Sequence, residues 1–231
     1  MNGTLALIGS GEYLPPMNPV DEWLLGRLRG QARVVCLPSA AGQEGPERIG
    51  YWSRLGVDHF TRLGATAEAV EIVNRAGARD EALAARIRAA NFVYLSGGDP
   101  DYLYQTLNGT PAWAAIEGVL AGGGVVAGCS AGAIIWSESY PSFPTLVPWR
   151  PAFNYLPGAV VLPHYDEFGD SAFVKLLRPL LPRHLTILGV EANTALVRYD
   201  GKHEVRGAGG VTVWNSKRKV RLTEGALLTW P

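Results

Sequence analysis

The sequence predicts an α/β fold, a three-layer α/β/α sandwich around a mainly parallel β-sheet, in one domain that spans residues 1–231. Two patterns lead to this prediction. Short apolar segments alternate with amphipathic segments over most of the chain, as parallel strands alternate with the helices that cover both faces of their sheet. After Ala195 only short apolar segments follow, which predicts antiparallel strands at one edge of the sheet.

The individual elements follow from hydrophobic spacing. Strands are predicted over residues 4–8, 33–37, 69–73, 91–95, 125–127, 160–162 and 186–190. Helices are predicted over 20–28, 47–63, 80–90, 111–120 and 131–138. The C-terminal strands are predicted over 195–197, 211–214 and 220–222, with a hairpin turn at residues 215–216. Residues 140–157, which include five prolines, are expected to form a long loop, either functional or packed on itself.

Composition excludes several classes of protein. The chain has 21 basic and 21 acidic residues, so it lacks the positive charge expected of a nucleic-acid-binding or polybasic membrane protein. Its 47% of hydrophobic and 18% of charged residues predict a globular chain rather than a disordered one. With only two cysteines, Cys36 and Cys129, a disulfide framework is excluded and a reducing compartment is expected.

One uncharged segment, residues 118–137, is long enough to span a bilayer. Six of its 20 residues are glycine, so we expect a buried strand, a tight turn and a buried helix instead. The apolar run over residues 5–8 is too short for the core of a signal peptide. We therefore expect a cytoplasmic protein that contacts neither membrane nor nucleic acid.

The motif most indicative of chemistry is Gly128-Cys129-Ser130-Ala131-Gly132. It fits the pattern G-x-S-x-G between a predicted buried strand and a predicted helix, which is the context of a nucleophile elbow. Small neighbours allow the sharp turn that holds the central serine in a strained conformation. Ser130 is therefore the candidate nucleophile, at a helix N-terminus where developing negative charge is stabilised. Cys129 is expected to be a small buried residue.

Two further groups complete the predicted site. The paired glycines Gly97-Gly98 also follow a predicted strand, so a backbone N–H there and the N–H of Ala131 would form a two-donor oxyanion hole. A serine nucleophile needs a base, and His164 is the best candidate because it follows a predicted strand end. His59 is expected at the surface of a helix.

The remaining histidines do not belong to a pattern of metal ligands. His184 precedes a predicted strand, and His203 lies in the predicted C-terminal hairpin region. No cluster of histidine, cysteine and carboxylate residues has the spacing of metal ligands, so no metal is expected.

Several motifs together resemble a known family. They are Gly-Gly-Asp at 97–99, Gly-x-Ser-Ala-Gly-Ala at 128–133, Pro-His at 163–164, Ile-Gly-Ser-Gly-Glu at 8–12 and Gly-Val-Glu-Ala-Asn-Thr-Ala-Leu at 189–196. Across nearly the whole chain they resemble the serine peptidase family of aspartyl dipeptidase and cyanophycinase, family S51. This resemblance implies a flavodoxin-like sandwich of the class I glutamine amidotransferase type, in which a serine replaces the amidotransferase cysteine.

The resemblance also implies an activity and a set of site residues. It implies hydrolysis of a peptide or isopeptide bond in a small peptide, without metal or organic cofactor. It makes Ser130 the nucleophile, His164 the base, and the N–H groups of Gly98 and Ala131 the oxyanion hole. The shared motifs also contain the candidates for substrate binding, which are Glu12, Gly97, Asp99 and Glu191.

The carboxylate that would orient His164 stays open. The family usually carries it midway between nucleophile and histidine, but residues 139–163 contain no acid. Asp166 stands two residues past the histidine, as the acid does in related glutamine amidotransferases, and could bond the second ring nitrogen. Asp166 is therefore favoured, followed by Glu138 and then by Glu191.

The expected substrate differs from that of the best-known relatives. Cyanophycinases and aspartyl dipeptidases carry arginines soon after the histidine, whereas residues 165–170 contain three acids and the next arginine is Arg178. Arg150, in the proline-rich segment, is the remaining candidate to bind a substrate carboxylate. The sequence therefore favours a basic or neutral peptide.

Two alternative functions stay open. An esterase of the α/β-hydrolase fold would use Ser130, Asp200 and His203 in the required order, although three positions are a short separation between acid and base. A catalytically incomplete relative that binds a ligand is the other alternative, because the mid-loop acid is missing. A homodimer is also possible, since aromatic residues such as Trp149 fit either an interface or a substrate pocket.

Overall fold

The computed structural model describes residues 2–142, 148–168, 174 and 179–228 of the chain. Its strands are β1 Thr4–Ile8, β2 Arg33–Leu37, β3 Thr66–Ala69, β4 Phe92–Leu95, β5 Val125–Cys129, β6 Ser139–Pro141, β7 Trp149–Pro151, β8 Ala159–Leu162, β9 Thr186–Val190, β10 Thr194–Tyr199, β11 Lys202–Gly207, β12 Gly210–Trp214, β13 Lys219–Thr223 and β14 Leu227–Leu228. Its helices are α1 Asn18–Leu25, α2 Pro46–Arg62, α3 Arg75–Ala78, α4 Glu81–Ala89, α5 Pro100–Leu107, α6 Pro111–Ala121, α7 Ala131–Ile134 and α8 Tyr165–Phe168.

The strands form one large sheet and two smaller ones. The large sheet has the order β14-β11-β10-β1-β5-β4-β2-β3, in which β1, β5, β4, β2 and β3 are parallel. Strands β10, β11 and β14 extend it as an antiparallel edge. The prediction of an α/β fold with a mainly parallel sheet and antiparallel C-terminal strands is confirmed.

Helices cover both faces of the large sheet because alternate strand residues point to opposite sides. One face packs against α4, α5, α6 and α7, and its strand residues are Leu5, Leu7, Val35, Leu37, Val93, Leu95 and Val126. The other face packs against α1 and α2, and its strand residues are Ala6, Ile8, Val34, Cys36, Phe92, Tyr94, Val125 and Ala127. Both clusters are almost free of solvent, so the central strands are fixed from two sides.

The predicted single sheet is wrong in one respect. Strands β8 and β9 do not join the large sheet; they pair with each other in parallel and continue through β12 to β13 in a separate four-stranded sheet. The strand expected at 69–73 lies earlier, at Thr66–Ala69, and the helix expected over 131–138 ends at Ile134. Strands β6, β7, β11 and β14 were not expected.

The described part of the long proline-rich segment packs several side chains against the core, while Pro148, Pro151 and Pro157 are exposed. Tyr140 is buried, and the ring of Phe153 stacks on Trp113 with centroids 3.5 Å apart. Tyr155 packs edge-on against Trp136. Residues 143–147 of the predicted loop lie outside the described residues. Among the helices that the structure describes, none is long and apolar enough to cross a bilayer.

His59 is not at the surface, contrary to expectation. Its ring is 1% exposed and its Nε2 lies 2.8 Å from Oδ2 of Asp21, which is itself fully buried. Burial raises the pKa of Asp21, and the hydrogen bond with His59 works against that shift. Each buried polar group needs a partner to offset its lost hydration. The hydrogen bond between His59 and Asp21 meets this need and links α2 to α1.

Candidate active site

Three strand ends meet beside one cavity of about 820 Å³. Ser130 follows β5, the Gly97-Gly98 pair follows β4, and His164 follows β8 of the smaller sheet. Ser130, His164 and Gly98 all line this cavity. The carboxyl ends of parallel strands are the usual place for a site in such a sheet.

Ser130 lies at a sharp turn between β5 and α7, with φ 51° and ψ −113°. Its N–H donates to the carbonyl of Ile8 at 3.0 Å, which ties the turn to the central strand β1. A Cβ atom at Gly128 would lie 2.1 Å from the carbonyl oxygen of Gly132, and one at Gly132 would lie 2.5 Å from that of Leu95. Glycine is therefore required on both sides of the serine.

His164 is within hydrogen-bonding distance of the serine. Its Nε2 lies 3.1 Å from Ser130 Oγ, and the ring is partly exposed to the cavity. The residue has a φ of 53°, and its carbonyl accepts hydrogen bonds from the N–H groups of Glu167 and Phe168 in α8. A neutral imidazole in this position can accept the hydroxyl proton of Ser130.

Gly98 and Ala131, whose N–H groups are the predicted oxyanion donors, line the cavity beside the serine. Gly98 has a φ of 145°, and a Cβ atom there would lie 2.5 Å from the carbonyl of Ala40, so only glycine fits. Ala131 is the first residue of α7, and the N–H groups of the first turn lack intrahelical acceptors. Since α7 is only four residues long, these individual N–H groups matter more than the dipole of the helix.

None of the three carboxylates predicted to orient His164 contacts its ring in the described part of the chain. Asp166 Oδ1 accepts from the N–H of Ala192 at 2.8 Å. Glu138 accepts from His184 Nε2 and from the N–H of Gly158, both at 2.7 Å. The hydrogen bond from His184 is the main reason, and that from Gly158 the second, why the pKa of Glu138 is lowered.

The third candidate, Glu191, is also bonded elsewhere. Its two oxygens each lie 2.6 Å from the guanidinium of Arg221 in a two-point ion pair. Among the described residues, the carboxylate within 4 Å of the His164 ring is that of Glu167, with Oε1 3.7 Å from Nδ1. The sequence signal that could have identified Glu167 is its position three residues after His164, which directly precedes α8 while Glu167 lies in its first turn.

The four predicted substrate-binding residues separate into two groups. Asp99 lines the cavity, although its Oδ1 also accepts from the N–H of Tyr102 and so begins α5. A Cβ atom at Gly97 would lie 3.3 Å from Ser130 Cβ, so this residue is adjacent to the nucleophile. Glu12 and Glu191 are not among the residues that line the cavity.

The walls of the cavity are mostly apolar. They consist of Ala40, Ala131, Ile134, Leu162, Pro163, Tyr165, Phe168 and Val174, with Pro100 at one side. Among the described lining residues, those with polar groups besides Ser130 and His164 are Gln43, Glu44, Asp99 and the hydroxyl-bearing Tyr165. No arginine or lysine is among the described lining residues, and Arg150 is engaged with Asp101 at 3.0 Å.

The cysteine beside the nucleophile faces the protein interior. The thiol of Cys129 is fully buried and donates to Oε2 of Glu12 at 3.0 Å. Burial, and after it the Glu12 carboxylate, raises the pKa of this thiol well above its usual value. Cys129 is thus a buried thiol, as expected. In the portion of the chain that is described, no group of three histidine, cysteine or acidic side chains could hold a metal ion.

Solved structures similar to this chain include two that are described as peptidases or putative peptidases. A peptidase from an acI-B1 actinobacterium is 31% identical, with a TM-score of 0.91 over 100% of this chain and 98% of that one. A putative peptidase E protein from Listeria monocytogenes EGD-e has the same fold, with a TM-score of 0.67 at 21% identity over 90% of this chain and 99% of that one.

The chain belongs to peptidase family S51, whose family model matches residues 5–206. The family predicted from the sequence motifs is therefore confirmed, and the protein is a peptidase by family. A search of curated proteins finds no match.

Proposed function

We propose that this protein is a serine peptidase that hydrolyses a peptide or isopeptide bond in a small peptide through an acyl-enzyme on Ser130. The observation that carries the proposal is the 3.1 Å approach of His164 Nε2 to Ser130 Oγ inside a cavity. A nucleophile and base at hydrogen-bonding distance, next to free backbone donors, is the arrangement that acyl transfer requires.

In the first step His164 Nε2 takes the hydroxyl proton while Ser130 Oγ attacks the substrate carbonyl carbon. The carbonyl oxygen becomes an oxyanion, which the N–H groups of Gly98 and Ala131 stabilise. Losing a donor of this kind costs about 10²–10³ in kcat in serine proteases. His164 then gives its proton to the leaving amine, and the C–N bond breaks to leave an ester on Ser130.

In the second step water replaces the amine. His164 takes a proton from that water, the hydroxide oxygen attacks the ester carbonyl, and the same two N–H groups stabilise the second oxyanion. His164 returns the proton to Ser130 Oγ as the acid product leaves. Apart from the substrate and one water molecule from solvent, every group that takes part in these steps belongs to the chain.

For the orienting carboxylate we favour Glu167 over the three residues that the sequence put forward. Glu167 Oε1 lies 3.7 Å from Nδ1 of His164, and a change of side-chain rotamer can close that gap, since this side chain is 61% exposed. Asp166, Glu138 and Glu191 already accept hydrogen bonds from other groups.

The lining of the cavity supports a neutral or basic substrate residue rather than an acidic one. Its apolar walls would bind an uncharged side chain, and burying apolar area there stabilises binding by about 25 cal/mol per Å². Glu44 and Asp99 at the cavity would repel a substrate carboxylate, although Arg48 partly neutralises Glu44 at 3.3 Å. The described lining residues offer no cation to a carboxylate.

The proposal is tested by incubating the protein with a set of short peptides that differ at one position, including leucine, lysine and aspartate, and with an isopeptide. Products are identified by mass spectrometry. We expect cleavage of leucyl or lysyl peptides at least ten times faster than of aspartyl peptides. Ser130→Ala should abolish cleavage. The matched control is Ser53→Ala, since Ser53 lies on α2, its hydroxyl donates to Glu71, and it is not among the residues that line the cavity. Equal cleavage by Ser130→Ala would overturn the proposal.

One second function is favoured by a specific observation. Because the three predicted acids are bonded elsewhere, the chain fits a catalytically incomplete relative that binds a peptide without cleaving it. Such a protein would bind the peptide set with the same affinity before and after Ser130→Ala, and no product would form. The esterase alternative loses support, since Asp200 pairs with Arg27 at 2.8 Å and His203 Nε2 is buried without a partner among the described residues.

A further inference from the structure

Glu12 is a buried carboxylate that the mechanism above does not use. Its side chain follows β1 in the segment Gly11-Glu12-Tyr13, and the residue is 9% exposed. A Cβ atom at Gly97 would fall 2.8 Å from Glu12 Oε1 and 3.3 Å from Ser130 Cβ, so the carboxylate and the nucleophile both lie next to Gly97. Any side chain at residue 97 would therefore force the Glu12 carboxylate to shift.

Each oxygen of Glu12 binds a different strand end. Oε1 accepts from the N–H of Gly97 at 3.0 Å, just after β4. Oε2 accepts from the thiol of Cys129 at 3.0 Å, the last residue of β5 before Ser130. One side chain thus joins the turn that holds the oxyanion donor to the turn that holds the nucleophile.

The segment that carries Glu12 is itself rigid. Gly11 and Tyr13 both have positive φ angles, of 90° and 64°, which a bulky residue such as tyrosine adopts only when its surroundings fix it. Tyr13 is 1% exposed, and its hydroxyl lies 3.1 Å from Ser96 Oγ, directly before Gly97. Glu12 and Tyr13 therefore contact two adjacent residues, Tyr13 at the side chain of Ser96 and Glu12 at the backbone N–H of Gly97.

We infer that Glu12 is a positioning residue for acyl transfer, which orients the Gly97–Gly98 peptide and the Cys129–Ser130 turn relative to each other and does not bind substrate. This role rests on the proposed function of Ser130. Glu12 holds the N–H of Gly97, and the next residue, Gly98, lines the cavity and carries the proposed oxyanion donor. An oxyanion donor must be aimed in advance, because a misplacement of about 1 Å can cost about 10²-fold in rate.

The role makes different predictions for kcat and for KM. A substrate-binding Glu12 would change KM and leave the reactivity of Ser130 towards a small acylating reagent untouched. A positioning Glu12 would lower kcat and the rate of labelling by a fluorophosphonate, which carries no peptide, while KM stays within about threefold. A purely structural role would lower thermal stability and leave the labelling rate of the folded fraction unchanged.

Three variants test the inference. Glu12→Ala removes both hydrogen bonds, and we expect fluorophosphonate labelling of Ser130 to slow about 100-fold. Glu12→Gln keeps the length and an oxygen acceptor for Gly97, so labelling should stay within about tenfold of wild type. Glu12→Asp keeps the charge but is one methylene short of reaching both strand ends, so it should resemble the alanine variant. If Glu12→Ala does not fold, the comparison of the aspartate and glutamine variants decides.

The control is Glu117→Ala, which removes another partly buried carboxylate that accepts one side-chain hydrogen bond, from Tyr155, outside the cavity. It should label at the wild-type rate. Labelling of folded Glu12→Asp at the wild-type rate, or a raised KM with unchanged labelling, would overturn the positioning role alone. An unlabelled wild-type protein would overturn the proposed function of Ser130 and this role with it.

Discussion

Ser130 holds a backbone conformation that a serine adopts only when its surroundings impose it. A non-glycine residue in such a region costs about 1–3 kcal/mol. The hydrogen bond from its N–H to Ile8, and those from Ala133 and Ile134 to its carbonyl, hold the turn in place. In this turn the hydroxyl of Ser130 lies within hydrogen-bonding distance of Nε2 of His164.

At the same scale, Glu167→Gln should lower kcat about tenfold, because a carboxylate that orients the imidazole also stabilises the imidazolium formed during attack. KM should change less than twofold. Asp166→Asn is the matched control, since Asp166 accepts from the N–H of Ala192 and the amide oxygen can still do so. Steady-state kinetics on both variants checks this. A larger loss of kcat in Asp166→Asn than in Glu167→Gln would restore the acid that the sequence favoured.

The sequence could predict those site residues that belong to a short motif at the end of a strand. Ser130, Gly98 and His164 each follow a strand, and they line one cavity. Which carboxylates are already bonded to other groups could not be predicted in this way, because it depends on partners that are distant along the chain. Arg221 binds Glu191 and His184 binds Glu138, and neither contact is visible in the order of residues along the chain.

At the scale of the element, the turn between β5 and α7 depends on glycines that leave no room for a methyl group. Gly128→Ala would place a Cβ atom 2.1 Å from the carbonyl of Gly132, so we expect unfolding free energy to fall by about 1–3 kcal/mol or more. The fluorophosphonate labelling rate of the folded fraction should fall as well. Chemical denaturation and the labelling rate measure both effects.

The control for this prediction is Gly118→Ala. Gly118 lies in the exposed part of α6 with nothing within 4 Å of its would-be Cβ atom. Alanine there should raise the unfolding free energy by about 0.5–1 kcal/mol, since it restricts the unfolded chain and favours the helix. If Gly128→Ala is as stable as the wild type, the turn does not require glycine.

The elements that the sequence predicted well are those with strong local signals. The helix expected from Asp80 begins with that residue as its N-cap, whose side chain accepts from the N–H of Ala82. The separate four-stranded sheet could not be predicted. Its strands β9 and β12 pair across more than twenty positions of the chain, and in sequence both are simply apolar segments. His59 was misjudged for the same reason, since its partner Asp21 lies on another helix.

At the scale of the whole molecule, stability should fall as the pH falls below about 6.5. His203 on β11 is buried, and burial, helped by the charge of Arg198, lowers its pKa to about 4 from an ordinary 6.5. Between these two values the unfolded chain binds a proton that the folded chain does not. The unfolding free energy therefore rises with pH across this window and is fully restored above it.

The loss from this single group is at most about 3 kcal/mol. His203→Gln removes the titrating ring, so its unfolding free energy should depend less steeply on pH between about 4 and 6.5 than that of the wild type. Urea denaturation of both proteins over this range measures the difference. Parallel curves would show that His203 does not contribute.

The central claim is that Ser130 is an activated nucleophile and His164 its base. The most direct test is the intact mass of the wild type, Ser130→Ala and His164→Ala after treatment with a fluorophosphonate. We expect one adduct on the wild type and none on either variant, because phosphonylation needs both the hydroxyl and the group that takes its proton. An unmodified wild type, or an adduct that persists in Ser130→Ala, would contradict the account.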